Sequence, residues 1–386
     1  MIDKKYLDEF AYYGDTAAFT ACSVSSPPKR TLRLASGFLD ECARSFGEVV
    51  FESYQSRRDE VRREIAAMIG ADMSEIAFDM NTTQGNNLLP FCLDFKPGDN
   101  VVVTDMDYPG TLLPWLKKRE EGLELKIVRN VHGCVPTEDV LAAMDSRTRV
   151  VALSWVQSTS GYKIDCKAIG RECRRRGIWF AVDGIQGLGR NVLNVKDYCI
   201  DLLCTAGFKG LLGTLGAGFI YCRRELLDQL RPPGYGEENL CRDFDPKWVW
   251  ERGPLPWLGD AGKLEFGSLN TYGILVMGES IRMLNEIGID HIQTEVRGLE
   301  HYYRDLLKAR KLPLDILGDP RELYWSGNIA GTFPAQKTGA LRQELKKQQI
   351  VATVHEGYVR IGIHFYNTKE QLDRMIAALE RVLGAE

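Results

Sequence analysis

The chain has 386 residues, of which 44% are hydrophobic and 26% are charged, and its formal net charge is -4. This length favours two domains over one small core, and the weakly acidic balance gives no reason to expect a nucleic acid or an anionic membrane as a partner. No segment approaches the roughly 20 apolar residues that cross a bilayer, and the charged start does not resemble a signal peptide. These features predict a cytoplasmic enzyme.

From about residue 55, helical patterns alternate with short apolar runs, which predicts a mainly parallel sheet. Strands are predicted at 76–78, 100–104, 125–128, 150–154, 178–182, 202–205 and 216–222. Helices are predicted at 57–69, 85–91, 137–144 and 166–175. The segment 232–262 is rich in proline, glycine, tryptophan and aspartate, and this composition predicts an irregular flap.

After Asn270 the pattern changes to a long amphipathic helix at 273–287. It is followed by predicted helices at 296–309, 341–348 and 368–383 and by strands at 328–333 and 358–363. The sequence therefore predicts an α/β protein with a large domain of residues 15–272. A smaller C-terminal α/β domain would comprise residues 273–386 together with 1–14.

The ten cysteines all lie between Cys22 and Cys241, and none forms a Cys-x-x-Cys pair. This distribution indicates neither a zinc site nor a disulfide framework. We therefore expect no metal and mostly free, buried thiols.

Asp183 follows the predicted strand 178–182, and Lys209 follows the next strand after a short loop. Both would lie at the carboxyl edge of the sheet, where open α/β folds bind ligands. A lysine amine can form a Schiff base with a carbonyl cofactor, and a buried carboxylate can keep a pyridine nitrogen protonated. The alternative is an ordinary Asp-Gly turn and a surface lysine.

The surrounding segments 183–187 (Asp-Gly-Ile-Gln-Gly) and 205–213 (Thr-Ala-Gly-Phe-Lys-Gly-Leu-Leu-Gly) resemble the lysine region of class V aminotransferases. This family includes cysteine desulfurases, cysteine C–S lyases and isopenicillin N epimerase. Further similar stretches occur in the family's order at 81–87, 154–157, 263–270 and 359–367, so the resemblance spans nearly the whole chain. It implies the fold type I of pyridoxal-phosphate (PLP) transferases, PLP as cofactor, an amino-acid substrate and a homodimer with a shared active site.

The resemblance also assigns roles around the cofactor ring. Lys209 would form the Schiff base, Asp183 would bind the pyridine nitrogen, Gln186 would bind the phenolic oxygen and Tyr108 would stack on the ring. A half-buried turn tyrosine is the alternative for Tyr108. Phe208 stands where relatives usually have a histidine, which removes one contact to the phosphate.

The cofactor phosphate would be bound by Thr82, Thr83 and Thr205, and by Ser268 of the neighbouring subunit. Thr82 follows a strand and begins a helix, so its alternative role is that of a helix N-cap. Arg360 would bind the substrate carboxylate through two parallel hydrogen bonds, assisted by Asn328. A surface arginine on an edge strand is the alternative for Arg360.

The reaction implied by the resemblance passes through an external aldimine, with Lys209 as general base at the substrate Cα. Desulfurases carry a nucleophilic cysteine shortly before the strand that corresponds to 358–363, and segment 348–358 contains no cysteine. We therefore expect a lyase or an epimerase rather than a persulfide-forming desulfurase. Alternatives are a transaminase for a small amino acid, a non-catalytic dimer of the same fold, and a nucleotide-binding oxidoreductase.

Overall fold

A computed structural model of the chain describes residues 2–45, 48–232, 234–241 and 255–384. A seven-stranded sheet with the order β2-β8-β7-β6-β5-β3-β4 forms its largest layer. These strands are β2 (Ile76–Asp79), β3 (Asn100–Thr104), β4 (Glu124–Val128), β5 (Thr148–Ser154), β6 (Trp179–Asp183), β7 (Leu202–Ala206) and β8 (Gly218–Cys222). The pairs from β4 to β7 are parallel, and only β8 pairs in the antiparallel sense, with both β2 and β7. The α/β class and the mainly parallel sheet are thus confirmed.

Helices accompany the sheet and form most of the C-terminal third. They are α1 (Lys4–Leu7), α2 (Lys29–Ser45), α3 (Glu48–Ile69), α4 (Thr82–Asn86), α5 (Leu88–Cys92), α6 (Pro109–Arg119), α7 (Thr137–Ala143), α8 (Cys166–Arg176), α9 (Arg224–Leu227), α10 (Thr271–Ile287), α11 (Ile289–Arg310), α12 (Thr338–Lys347) and α13 (Lys369–Leu383). Among these described helices, none is long and apolar enough to cross a membrane.

A second sheet of four antiparallel strands has the order β12-β13-β10-β9. Its strands are β9 (Asp315–Ile316), β10 (Asn328–Thr332), β12 (Thr353–His355) and β13 (Tyr358–Gly362). A separate two-stranded parallel pair joins β1 (Ala17–Ala18) to β11 (Ile350–Val351), and Thr20 bridges to Gly362. The first residues of the chain therefore pack against the last strands. The domain boundary between residues 272 and 273 stays a prediction, and it falls inside the first turn of α10.

Several predicted elements differ from those in the structure. The predicted helix at 85–91 is two short helices, α4 and α5, that meet at Asn87. Pro90 explains the break, because its ring would clash with the carbonyl of residue 86 in a continuous helix. Helix α2 was not predicted, and much of the predicted flap, 242–254, lies outside the described residues.

Candidate active site

Asp183 is the last residue of β6 and is fully enclosed by the sheet and by two helices. Its Oδ1 accepts a hydrogen bond from the Ile185 N–H at 3.0 Å. Its Oδ2 accepts from the Thr111 hydroxyl at 2.9 Å and from the Asn86 amide at 3.3 Å. Burial raises the pKa of Asp183, while these donors and the nearby Lys209 amine act in the opposite direction. Asp183 is therefore held rigidly in one orientation at the carboxyl edge of the sheet.

Lys209 lies just beyond the end of β7, the neighbour of β6 in the sheet. Its loop packs backbone to backbone on the segment that follows Asp183. Gly189 has a φ of +82°, and a Cβ there would overlap the carbonyl oxygen of Gly210. A Cβ at Gly210 would in turn overlap the carbonyl oxygen of Leu188. Two glycines thus hold the lysine loop against the aspartate loop, and the predicted convergence of Asp183 and Lys209 is what the structure contains.

The amine of Lys209 has an unusual environment. Its pKa is lowered to about 8, chiefly because burial disfavours the charged form, and the positive charge of Arg360 adds to this effect. The negative charge of Asp183 opposes it. With this pKa, roughly a tenth of the molecules carry a neutral amine at pH 7, far more than for an ordinary lysine, which suits a nucleophilic amine.

A pH titration tests this environment. We expect the rate at which PLP attaches to the apoprotein to rise with pH around a midpoint near 8 rather than near the ordinary lysine value. Arg360→Gln removes a positive charge, so it should move the midpoint to higher pH, whereas Asp183→Asn should move it to lower pH. The growth of the visible absorption band in stopped-flow mixing measures the rate. Shifts of the two variants in the same direction would contradict this account.

The aromatic rings of Tyr108 and Phe208 lie near the Lys209 amine. The Lys209 Nζ lies 5.8 Å from the centre of the Tyr108 ring, and that ring is about half exposed. Gln186 is buried, and its amide donates to the Cys22 carbonyl at 3.1 Å. Phe208 places its ring 5.7 Å from the same Nζ, where it offers no hydrogen bond. The structure therefore brings Tyr108 and Asp183 to the same amine.

Hydroxyl groups at this edge fit a bound phosphate. Thr82 is buried, and its Oγ1 has no hydrogen-bond partner among the described residues. The buried Thr205 hydroxyl has only a long contact of 3.5 Å to the carbonyl of Ala206. Thr83 is exposed, and a Cβ at Gly110 would overlap its Oγ1, so the loop of Tyr108 closes on it. Buried hydroxyls without partners are costly unless a ligand takes them up, and PLP carries the required acceptor oxygens.

The N-cap of α4 is Asn81, whose side chain accepts from the Gln84 N–H. Thr82 therefore does not cap this helix, and its alternative role as N-cap is wrong. Ser268 is exposed beside Gly267, consistent with a role at a neighbouring subunit. That role stays a prediction.

Arg360 extends from β13 towards the large sheet. Its guanidinium donates to the Ser158 carbonyl and, at 3.3 Å, to the Cys22 carbonyl. No carboxylate of the described residues lies within ion-pair distance of it, and its Nε has no partner there. The charge of Arg360 also influences Lys209, so a substrate carboxylate bound by Arg360 would lie near the Lys209 amine.

Asn328 occupies a different position from the expected one. Its amide donates to Gln186 Oε1 at 3.0 Å and accepts from Arg190 at 2.8 Å, so it lies behind Gln186 rather than beside Arg360. Thr111, Asn86 and Arg190 were not predicted. Asn86 lies inside the similar stretch 81–87, which could have singled it out, whereas nothing in the sequence pattern marks the other two.

Known proteins resemble this chain over most of its length. The family model described as Aminotransferase class-V matches residues 44–375. A probable cysteine desulfurase of Methanothermobacter thermautotrophicus is 30% identical over 342 residues, which cover 84% of this chain and 83% of that protein. A cysteine desulfurase structure from Thermococcus onnurineus, with 23% identity, superposes with a TM-score of 0.88 over 99% of this chain and 98% of its own. The structure of a cystine C–S lyase in complex with cysteine persulfide has a TM-score of 0.88 and 17% identity over 97% of this chain and 100% of its own.

Proposed function

The chain belongs to the class V aminotransferase family and uses pyridoxal 5'-phosphate, and we propose that it is a cysteine desulfurase that converts L-cysteine to L-alanine. The observation that carries the proposal is that the Lys209 amine lies close enough to the buried Asp183 carboxylate and to the Arg360 guanidinium for both charges to act on it. The substrate is inferred from the relatives that share most of the chain's length, since they are named cysteine desulfurases.

This proposal corrects the expectation of a lyase or an epimerase that does not form a persulfide. Several relatives and a structural neighbour are named cysteine desulfurase or probable cysteine desulfurase, which contradicts that expectation. The sequence argument failed because it depended on one missing thiol in segment 348–358. A missing thiol excludes one acceptor for the sulfur, but it does not exclude removal of sulfur from cysteine.

Bound PLP supplies the electron sink that makes the substrate Cα–H acidic. We propose that Lys209 binds the cofactor covalently and, once released by the substrate, moves the proton at Cα. Asp183 would keep the ring nitrogen protonated, and Arg360 would fix the substrate carboxylate. Overall, an acceptor thiol takes the sulfur as the Cβ–S bond breaks, so that cysteine and a thiol yield alanine and a persulfide.

The proposed working form is a homodimer with shared active sites. Support comes from exposed apolar side chains near the cavity, on Met80, Tyr108, Leu113 and Leu215. Large exposed apolar groups of this kind are typical of surfaces that another subunit covers. Ser268 would then reach the phosphate of the neighbouring subunit.

The proposed activity is tested with purified, PLP-loaded protein, L-cysteine and dithiothreitol as the acceptor thiol. Alanine and sulfide should appear in equal amounts, and alanine is measured by chromatography so that it is distinguished from pyruvate. D-cysteine and L-serine serve as controls for handedness and for the sulfur atom. Pyruvate and ammonia in place of alanine, or no turnover of L-cysteine by fully loaded protein, would overturn the assignment.

A further inference from the structure

Arg190 carries a fully buried guanidinium. No carboxylate among the described residues lies within ion-pair distance of it, and it donates instead to three oxygen atoms. These are the Gln186 carbonyl at 2.6 Å, the Asn328 Oδ1 at 2.8 Å and the Ile363 carbonyl at 3.1 Å. Burial of an unneutralised cation is expensive, so its retention calls for a specific role.

The glycine at position 327 leaves room for the Arg190 guanidinium. Gly327 has a φ of +85°, and a Cβ there would lie 3.2 Å from the Arg190 Nη1 and 2.6 Å from a methyl group of Val296. A side chain at position 327 would therefore strain the backbone and crowd the guanidinium. Ionisable groups that influence Arg190 are Cys22, Tyr366, Glu300 and Arg360.

The Arg190 guanidinium fixes the orientation of the Asn328 side-chain amide, which in turn fixes the orientation of the Gln186 amide. Because a guanidinium can only donate, Asn328 must present its oxygen to Arg190 and its amino group to Gln186. That amino group donates to Gln186 Oε1 at 3.0 Å, so Gln186 must present its own amino group to the cavity side. There it donates one hydrogen bond to the Cys22 carbonyl at 3.1 Å. Reversal of either amide would place two donors face to face.

We propose that Arg190 is a positioning residue that acts through Asn328 to present the N–H of Gln186 to the phenolic oxygen of PLP. We call the three side chains Arg190, Asn328 and Gln186 the amide relay. The inference rests on the proposed function, in which Lys209 and Gln186 contact the cofactor. Fixed donors placed in advance at a negative oxygen stabilise it at no cost of reorganisation.

The amide relay should shift a measurable pKa in one direction. A positive charge and a fixed donor beside the phenolic oxygen lower the affinity of the neighbouring cofactor–lysine nitrogen for a proton. Removal of the relay should therefore raise the pKa of this nitrogen. This pKa is the midpoint at which the visible absorption band of the loaded protein changes with pH, and it does not depend on turnover.

The test compares Arg190→Met, Asn328→Leu and the control Arg175→Met, all loaded with PLP. Arg175 lies on the exposed face of α8 and pairs with Glu172. The two relay variants should raise the midpoint by about one pH unit, a tenfold change in proton affinity, whereas the control should leave it unchanged. Asn328→Leu decides the matter if Arg190→Met does not fold.

A folded, loaded Asn328→Leu protein with the wild-type midpoint would overturn the relay. A folded, loaded Arg190→Lys protein with the midpoint of Arg190→Met would also count against the relay, because an ammonium group can only donate and should impose the same amide orientation on Asn328. Failure of the proposed function is distinguishable from both results. In that case the wild-type protein itself would show no visible band that is fixed by borohydride.

Discussion

Lys209→Ala is expected to abolish covalent attachment of PLP and to lower alanine formation from cysteine by about 10²–10⁴-fold, the range typical of a lost proton-transfer group. The reason is that its amine is close to Asp183 and has a pKa near 8. After borohydride reduction, mass spectrometry of the peptide that contains residue 209 should detect the cofactor in the wild type alone.

The chain offers a matched control in Lys163. This second lysine is buried and also has a pKa lowered to about 8, mainly by burial. It pairs with Val156 in an isolated bridge, and the described groups that influence its charge are Arg297, Glu300, Cys166 and Glu322 rather than Asp183. Lys163→Ala should therefore keep the cofactor band, and labelling of Lys163 in place of Lys209 would refute the assignment.

Removal of the amine should not destabilise the protein near neutral pH. Because the folded-state pKa of Lys209 is below its unfolded value, the unfolded state binds more protons between about pH 8 and the ordinary lysine pKa. The free energy of unfolding therefore rises with pH in that window. Below the window, the full free-energy penalty for burying the charged amine is present. Lys209→Ala removes this penalty, so its unfolding midpoint at pH 7 should be unchanged or higher.

Lys209→Ala also tests whether each active site is shared between two subunits. In Ser268→Asp the added carboxylate would repel the phosphate. Mixing this variant with Lys209→Ala allows mixed dimers to form. In a mixed dimer, one site combines an intact Lys209 with an intact Ser268 of the other subunit. About a quarter of the wild-type activity should return after random reassociation, because half of the dimers are mixed and each has one intact site. Sites confined to one subunit would give no recovery.

Glu265→Ala is expected to lower the free energy of unfolding by about 3–5 kcal/mol, the cost of leaving one partner of a buried ion pair alone. Glu265 Oε1 accepts from Arg62 at 2.5 Å and from the Phe78 N–H at 2.8 Å, and all three groups are buried. The carboxylate therefore joins α3 to the edge strand β2. Urea unfolding of the wild type and the variant measures the difference.

Two control variants distinguish the effect of burial on stability from the effect of charge. Asp8→Ala removes an exposed pair with Lys4, where the side chains are 56% and 82% exposed, and it should change stability by less than about 1 kcal/mol. Glu265→Gln keeps an acceptor for the Phe78 N–H and should fall between the other two variants. Equal effects of Glu265→Ala and Asp8→Ala would contradict the account.

The sequence predicted the parts of the site that follow from the order of strands. Asp183 and Lys209 end neighbouring parallel strands, and the apolar runs before them were sufficient to place both at one edge. The sequence did not predict that Thr111 binds Asp183 or that Arg190 binds Asn328. These partners are 72 and 138 residues apart, and no periodicity relates positions so distant.

Family resemblance gave the cofactor and the fold, but it misled about the reaction. The absence of cysteine in segment 348–358 is a local fact, and the reaction depends on the whole cavity. Asn328 shows the same limitation for a single residue. Its strand was predicted, yet only the hydrogen bond that its amide donates to Gln186 Oε1 shows that it faces Gln186.

The attachment of the chain's beginning to its last strands has a consequence for biogenesis. The Cys22 carbonyl accepts hydrogen bonds from Gln186 and Arg360, and Thr20 bridges to Gly362, so two walls of the site come from segments that are 338 residues apart in the sequence. During translation these walls cannot meet until residue 362 has emerged from the ribosome. Capture of the vitamin-derived cofactor would then follow the emergence of residue 362.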